Sequence, residues 1–283
     1  MKNKLYILCD HGLGNRIGCL VGGIKSAQLM NMEPIICWPM NNWCHCDFYD
    51  LFNFNITVAD NEFSLMLAAQ IHELELPYFF ISTFDGTISK DIHGHTLETL
   101  QLIASLKKDA IYANCKTPKH YVSKKEVADI LSSMTINPDI LIRVKEYCNQ
   151  NNINASVIGL HLRKTDTGSL ANEEEIYQLV SNSKEVRYFL CSDNKETEDR
   201  FVALGNVMVY PKVSSVTKLI EGDWRDSVVD NTGRYSLFNV NRPKQQIIEA
   251  FVDLLILSRT QVQRQSKSTF RAIAERYSGI DIL

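Results

Sequence analysis

The chain has 283 residues, 45% hydrophobic and 22% charged, an ordinary globular composition with enough material for one large or two medium cores. A formal net charge of −3 excludes general electrostatic capture of nucleic acid or of an anionic membrane, so any basic site has to be local. No apolar run is long enough to cross a bilayer, and the charged-then-apolar start, residues 1–9, is too short for a signal peptide and lacks a cleavage site.

A cytoplasmic protein, or one peripheral to a membrane, is expected. Eight cysteines fall at positions 9, 19, 37, 44, 46, 115, 148 and 191, mostly in apolar patterns that suit reduced, buried thiols. Only Cys44-His45-Cys46 has metal-like spacing, and a zinc site needs a second pair that the chain does not offer. No metal is expected.

In chain order, residues 5–9 read as a strand. Asp10-His-Gly-Leu-Gly-Asn-Arg-Ile-Gly18 reads as a Gly-rich turn into a helix, with Ile17, Leu20, Val21 and Ile24 at helical spacing. Residues 34–38 form the next strand. The glycines do not match a dinucleotide fingerprint: their spacing differs, and Trp38-Pro39 ends the second strand without an acidic residue. The turn is either a plain tight turn or a place where backbone N–H groups meet a ligand. Residues 41–55 are aromatic and polar, a satellite core or an acceptor-facing loop. Residues 78–81 and 110–115 read as strands, and His93 and His95 fall in a polar loop. Ser123-Lys-Lys-Glu126 is a capping box that opens a helix through Met134, and Pro138 opens another through Gln150. The polar break at residues 149–154 sets a boundary between domains 1–152 and 153–283.

The second half repeats the α/β theme. Residues 157–161 form an apolar strand that turns polar at His161, Arg163, Lys164, Thr165 and Asp166. Alternation puts His161, Arg163 and Thr165 on one side. Polar groups at the carboxyl end of a buried parallel strand are where open α/β sheets bind ligands. A guanidinium there suits a phosphate, although an ion pair bracing a loop would use the same residues. A helix over 173–183 follows, then a strand over 187–191 ending in Ser192-Asp193. A further helix opens at Lys195 or Glu196, and a strand spans 207–210. Residues 213–235 are irregular. Pro243 opens a largely apolar helix, residues 260–263 form a short strand, and a helix runs over 270–277. Ser268 or Thr269 sits where its N-cap belongs, which serves capping, phosphate binding, or both.

Taken together, Gly12-Leu-Gly-Asn-Arg16, His161-Leu-Arg-Lys-Thr-Asp166, Phe189-Leu-Cys-Ser-Asp193 and Ser266-Lys-Ser-Thr-Phe270 resemble the ordered motifs of the GDP-fucose-dependent fucosyltransferases, most nearly the α-1,6 type. The resemblance runs from Leu5 to Gly279. It implies an α/β, GT-B-like fold with two Rossmann-like domains whose parallel sheets face a central cleft. Domain 1–152 would take the glycan acceptor and domain 153–283 the GDP-sugar donor. It implies metal-independent, inverting transfer of fucose from GDP-fucose, with no cofactor. Arg163 would hold the β-phosphate, His161 and Asp193 the guanosine, and Ser268 and Thr269 phosphate, with Lys164 and Ser266 in the same donor motifs. Gly12, Gly14, Asn15 and Arg16 would line the cleft. Lys164 stands where the α-1,6 pattern has a second arginine, and Ala171 falls at the spacing of the family's downstream glutamate, just before Glu173.

The chemistry agrees. No two aspartates have the Asp-x-Asp spacing of a metal-dependent sugar transferase, so protein groups must meet the charge on the leaving diphosphate. Arg163 and the helix start at Ser268 suit that task, each charge-assisted contact contributing roughly 1.5–3 kcal/mol. Asp10, Glu173 and Glu174 are candidate bases. The competing expectations are a non-catalytic binder of nucleotide sugar or glycan and a transferase using another GDP-sugar.

Overall fold

A computed structural model of the chain describes residues 2–73, 79–86, 89–91, 97–114, 121–165, 173–229, 235–236, 238–263 and 268–282. His93, His95, Cys115, Asp166, Ala171 and Ser266, and parts of the expected elements at 78–81 and 213–235, lie outside them. The chain divides into two compact units, Met1–Asn41 with Asp47–Thr135, and Asn42–Cys46 with Ile136–Leu283.

The first unit begins with β1 (Lys4–Leu8), α1 (Leu13–Met30) and β2 (Glu33–Cys37), followed by α2 (Phe48–Leu51), β3 (Thr57–Val58) and α3 (Asn61–Glu73). It continues with β4 (Phe79–Thr83), β5 (Ser89–Asp91), α4 (Leu97–Ser105), β6 (Ala110–Asn114) and α5 (Lys124–Ser133). Its described strands form one sheet in the order β3-β2-β1-β6-β4-β5. Strands β3, β2, β1 and β6 are mutually parallel, as the βαβ pattern requires. The expectation of parallel sheets needs correction at β4, which pairs antiparallel with both β6 and β5. Residues 84–88 are too few for the crossover that a parallel β4–β5 pair would need.

Helix α1 lies close on β1. A Cβ on Gly23 would fall 2.4 Å from Cγ2 of Ile7, so the approach depends on glycine. Helix α3, which apolar periodicity had not singled out, packs Leu67, Ala68 and Ile71 against Leu8 and Phe80. The aromatic stretch after β2 divides between the units. Phe48 and Phe52 are buried, with rings 5.6 Å and 6.4 Å from Trp38. Helix α5 has the expected box: Glu126 N donates to Ser123 Oγ at 3.2 Å and Ser123 N to Glu126 Oε2 at 2.8 Å.

The second unit comprises α6 (Pro138–Gln150), β7 (Ile158–Leu162), α7 (Glu173–Asn182), β8 (Tyr188–Ser192), α8 (Lys195–Val202) and β9 (Val207–Met208). Then come β10 (Val228–Val229), β11 (Tyr235–Ser236), α9 (Lys244–Leu257), β12 (Gln261–Val262) and α10 (Thr269–Tyr277). The order β12-β7-β8-β9 makes a parallel sheet. Strands β10 and β11 pair antiparallel within the stretch expected to be irregular.

Helix α6 belongs here, which moves the division upstream of the expected 152/153 boundary. The ring of Tyr147 lies 5.9 Å from that of Phe189 and 5.4 Å from that of Tyr210, and its hydroxyl donates to Val209 O at 2.8 Å. Apolar packing outweighs the polar break after the helix. Residues 42–46 join this unit by backbone pairing, Arg242 N donating to Asn42 O at 2.9 Å and His45 N to Arg242 O at 3.1 Å. In α9, Ile247, Phe251, Val252, Leu254, Leu255, Ile256 and Leu257 are all buried. Each such side chain contributes roughly 1.5–3 kcal/mol against exposure, and the helix anchors the unit. No described helix is long and apolar enough to cross a membrane.

Candidate functional site

From β7 the chain of the second unit proceeds through α7 to β8 and through α8 to β9, all on one side; after α9 it returns to place β12 on the other side of β7. Strand order therefore reverses at β7, the position where open α/β sheets hold ligands outside their carboxyl ends. His161 and Arg163 are the side chains of that strand end. The His161 ring stacks on Phe270 with centroids 4.8 Å apart and 16° between planes, which ties the end of β7 to the first turn of α10. Burial, reinforced by the charge of Arg163, pushes the imidazole down to about 4, so it is neutral near pH 7. Its Nδ1 is buried and has no hydrogen-bond partner among the described residues.

Asp193 follows β8. Its Oδ1 accepts from Lys164 N at 2.8 Å and its Oδ2 from Thr165 Oγ1. The carboxylate thus fastens the loop after β7 to the tip of β8. Ser268 caps α10, its buried hydroxyl accepting from Phe270 N at 3.2 Å, and Thr269 begins the helix. Beyond Asp193, on the α7 and α8 side, lies a polar cavity of about 340 Å³ lined by Lys164, Thr165, Glu173, Asn194, Arg200 and Trp224 among others. Of the candidate bases, Glu173 lines the cavity and Glu174 follows it in the chain, and both are engaged. Glu173 pairs with Lys164 and, at 3.2 Å, with Arg200; Glu174 pairs with Arg200 at 2.5 Å. The Arg200 contact holds the Glu174 carboxyl below its usual range, which makes it a weaker base.

In the first unit the equivalent reversal falls at β1, which lies between β2 and β6. Asp10 and His11 follow it. Asp10 Oδ1 accepts from His11 N at 2.7 Å and from Asn41 Nδ2 at 2.8 Å, and His11 takes a left-handed φ of 69°. Arg16 does not face a ligand surface. It is fully buried, donating to His11 O at 2.6 Å, Pro39 O at 2.9 Å and Asn41 Oδ1 at 3.1 Å, with its guanidinium 5.0 Å from the Trp38 ring centroid. Full burial corrects its expected place among the lining residues: Nε and Nη2 are met by loop oxygens, with Asp10 Oδ1 3.7 Å from Nη2, while Nη1 has no hydrogen-bond partner among the described residues. Gly12 is the N-cap of α1 and offers no side-chain cap; a Cβ there would meet nothing within 4 Å. Asn15 is partly exposed on the first turn, whereas Gly14 is buried.

No protein-family model and no curated protein matches the chain. Solved structures do. The selenomethionine form of the fucosyltransferase NodZ from Bradyrhizobium is similar at a TM-score of 0.58 and 17% identity, over 97% of this chain and 92% of that one. A NodZ α-1,6-fucosyltransferase co-crystallized with GDP is similar at a TM-score of 0.56 and 16% identity, over 97% and 92%. One soaked with GDP-fucose gives 0.55 and 16%, over 98% and 92%. In fold, the chain is like NodZ. It is α/β and GT-B-like, built of two Rossmann-like units.

Within that fold, the second unit brings together His161, Arg163, Lys164, Asp193 and the start of α10 with Ser268 and Thr269, and the first unit groups Asp10, Gly12 and Asn15. The sequence reading missed Glu198, Lys212 and Asp253, a charged cluster under the tip of β8 in which both carboxylates are buried. A signal for it exists. Glu249 and Asp253 stand four apart within the largely apolar α9, and a carboxylate on a buried helix face requires a partner.

Proposed function

We propose that the protein is a metal-independent, inverting glycosyltransferase that moves fucose from GDP-fucose to a hydroxyl of a glycan acceptor. The observation that carries this reading is Arg163, beside a neutral His161, at the carboxyl end of the strand where the second sheet reverses, in a chain with the NodZ fold. The GDP and GDP-fucose structures of NodZ support a guanosine diphosphate donor. The second unit would hold the donor and the first the acceptor. The acceptor oxygen attacks the anomeric carbon as the bond from that carbon to the β-phosphate oxygen breaks, and GDP departs. Arg163 and the N–H groups of α10 offset the charge that develops on the diphosphate. The acceptor proton passes to a carboxylate or to water. Asp10, Glu173 and Glu174 are the candidate bases, and all three are ion-paired, Asp10 to Arg16 at 3.7 Å, Glu173 to Lys164 and Arg200, and Glu174 to Arg200.

The same ion pairs favour a second reading, a non-catalytic binder of a GDP-sugar. GDP release from a panel of GDP-sugars, with mixed oligosaccharide acceptors and EDTA present, separates them. GDP-fucose should turn over in EDTA, and Arg163→Ala should cut turnover at least 100-fold with unchanged far-UV circular dichroism. Binding without turnover would select the binder; turnover of a different GDP-sugar would replace fucose; loss of activity in EDTA would remove metal independence.

A further inference from the structure

Lys212 lies just past β9 with its ammonium in the interior. It donates to Ser192 O at 2.9 Å, pairs with Asp253 Oδ2 of α9 at 2.8 Å, and pairs with Glu198 Oε1 of α8. That same Glu198 oxygen accepts from Ser192 N at 3.4 Å. Both backbone polar groups of Ser192, its N–H and its C=O, are therefore held by the cluster. Ser192 is the last residue of β8, and the next residue, Asp193, grips Lys164 N and Thr165 Oγ1 of the loop after Arg163. A path of hydrogen bonds joined by the Ser192–Asp193 peptide link runs from α9 through Lys212 to the loop after Arg163.

Glu198 and Asp253 are 5% and 3% exposed. Charges so placed are poor contributors to stability, since desolvation consumes most of their attraction and a packed apolar cluster would serve as well. What an apolar cluster lacks is an ammonium directed at one carbonyl. We infer that Lys212 is a positioning residue of the donor site: it fixes the Ser192 peptide at the tip of β8 and thereby aims Asp193 at the loop that carries Arg163. The inference rests on the donor-site reading above for its consequence, and on these contacts alone for its geometry.

The test uses two full-length variants. Lys212→Met removes the ammonium. Lys212→Met/Glu198→Gln/Asp253→Asn removes all the charges together, so that no unpaired buried carboxylate is left to unfold the chain. Backbone amide exchange at Lys164, GDP affinity and thermal unfolding are measured for each. The neutral triple variant should unfold cooperatively and keep its α9 amides protected, while the Lys164 amide exchanges at least tenfold faster and GDP binds at least tenfold more weakly. Unchanged Lys164 exchange in a folded variant would overturn the inference. If the unmodified protein binds no GDP, the donor reading fails by itself, and Lys164 exchange still decides whether Lys212 aims Asp193.

Discussion

The guanidinium of Arg16 spends its donors on His11, Pro39 and Asn41, whereas Arg163 lies part-buried at the end of β7 beside a histidine whose Nδ1 lacks a described partner. Arg16 braces a loop because a fully buried guanidinium has to find its partners within the protein. His161 makes the environment of Arg163 testable. Its folded value of about 4 lies below the usual 6.5, so between those pH values the unfolded chain binds the proton and the folded chain does not. The stability owed to neutral His161 is present above pH 6.5 and is lost as pH falls toward 4. Asp253, raised by burial from 3.8 to about 7, acts in the opposite sense over much of the same window. The histidine is isolated by difference: the fall in Tm from pH 7 to pH 4.5 should be larger in the unmodified protein than in His161→Phe, which keeps a ring on Phe270. Equal falls would mean that His161 titrates normally.

At the scale of elements, the site depends on β7 lying in register between β12 and β8. Gly159 permits that. A Cβ at this position would fall 2.0 Å from Thr260 Oγ1 and 2.6 Å from Leu257 Cδ1. Thr260 cannot swing aside, since it is 4% exposed and its hydroxyl donates to Leu257 O at 2.7 Å. Gly159→Ala should therefore cost about 1–3 kcal/mol by overpacking, read as a lower midpoint in urea, and Thr260→Ala in the same chain should restore part of the loss. Elements of this kind are legible in advance where pattern and chemistry agree. Helix α6 begins and ends where Pro138 and the polar run after Gln150 place it, and α5 has its box. Strand β9 is shorter than its apolar run, closing at Met208, because the chain then turns to bring Lys212 to Ser192. Antiparallel β4 and β5 were not legible, since a strand's direction lies in its connections and not in its own residues.

For the whole molecule, two Rossmann-like units leave one prediction that neither residues nor elements contain. A ligand that binds only the folded state stabilises it by about 2.7 kcal/mol at a hundredfold excess over Kd. GDP should raise Tm well above the effect of UDP or CDP at equal concentration, and its protection from amide exchange should concentrate in the second unit, around β7, β8 and the start of α10. Equal shifts by all three nucleotides would remove guanine recognition. Protection confined to the first unit would reverse the assignment of donor and acceptor.

Sequence alone showed most of the elements and the residues at their strand ends, because apolar periodicity, capping residues and Gly-rich turns act over a few positions and can be seen there. It also supplied Arg163, His161 and Asp193 as a group, since each directly ends or follows a buried strand. Only the tertiary structure decided which polar groups are spent on the scaffold. It turned Arg16 inward, locked Glu173 and Glu174 onto Arg200, moved α6 into the second unit and set Lys212 between two buried carboxylates. The physical reason is that desolvation and pairing depend on neighbours brought together from distant parts of the chain, and no local pattern of residues encodes them.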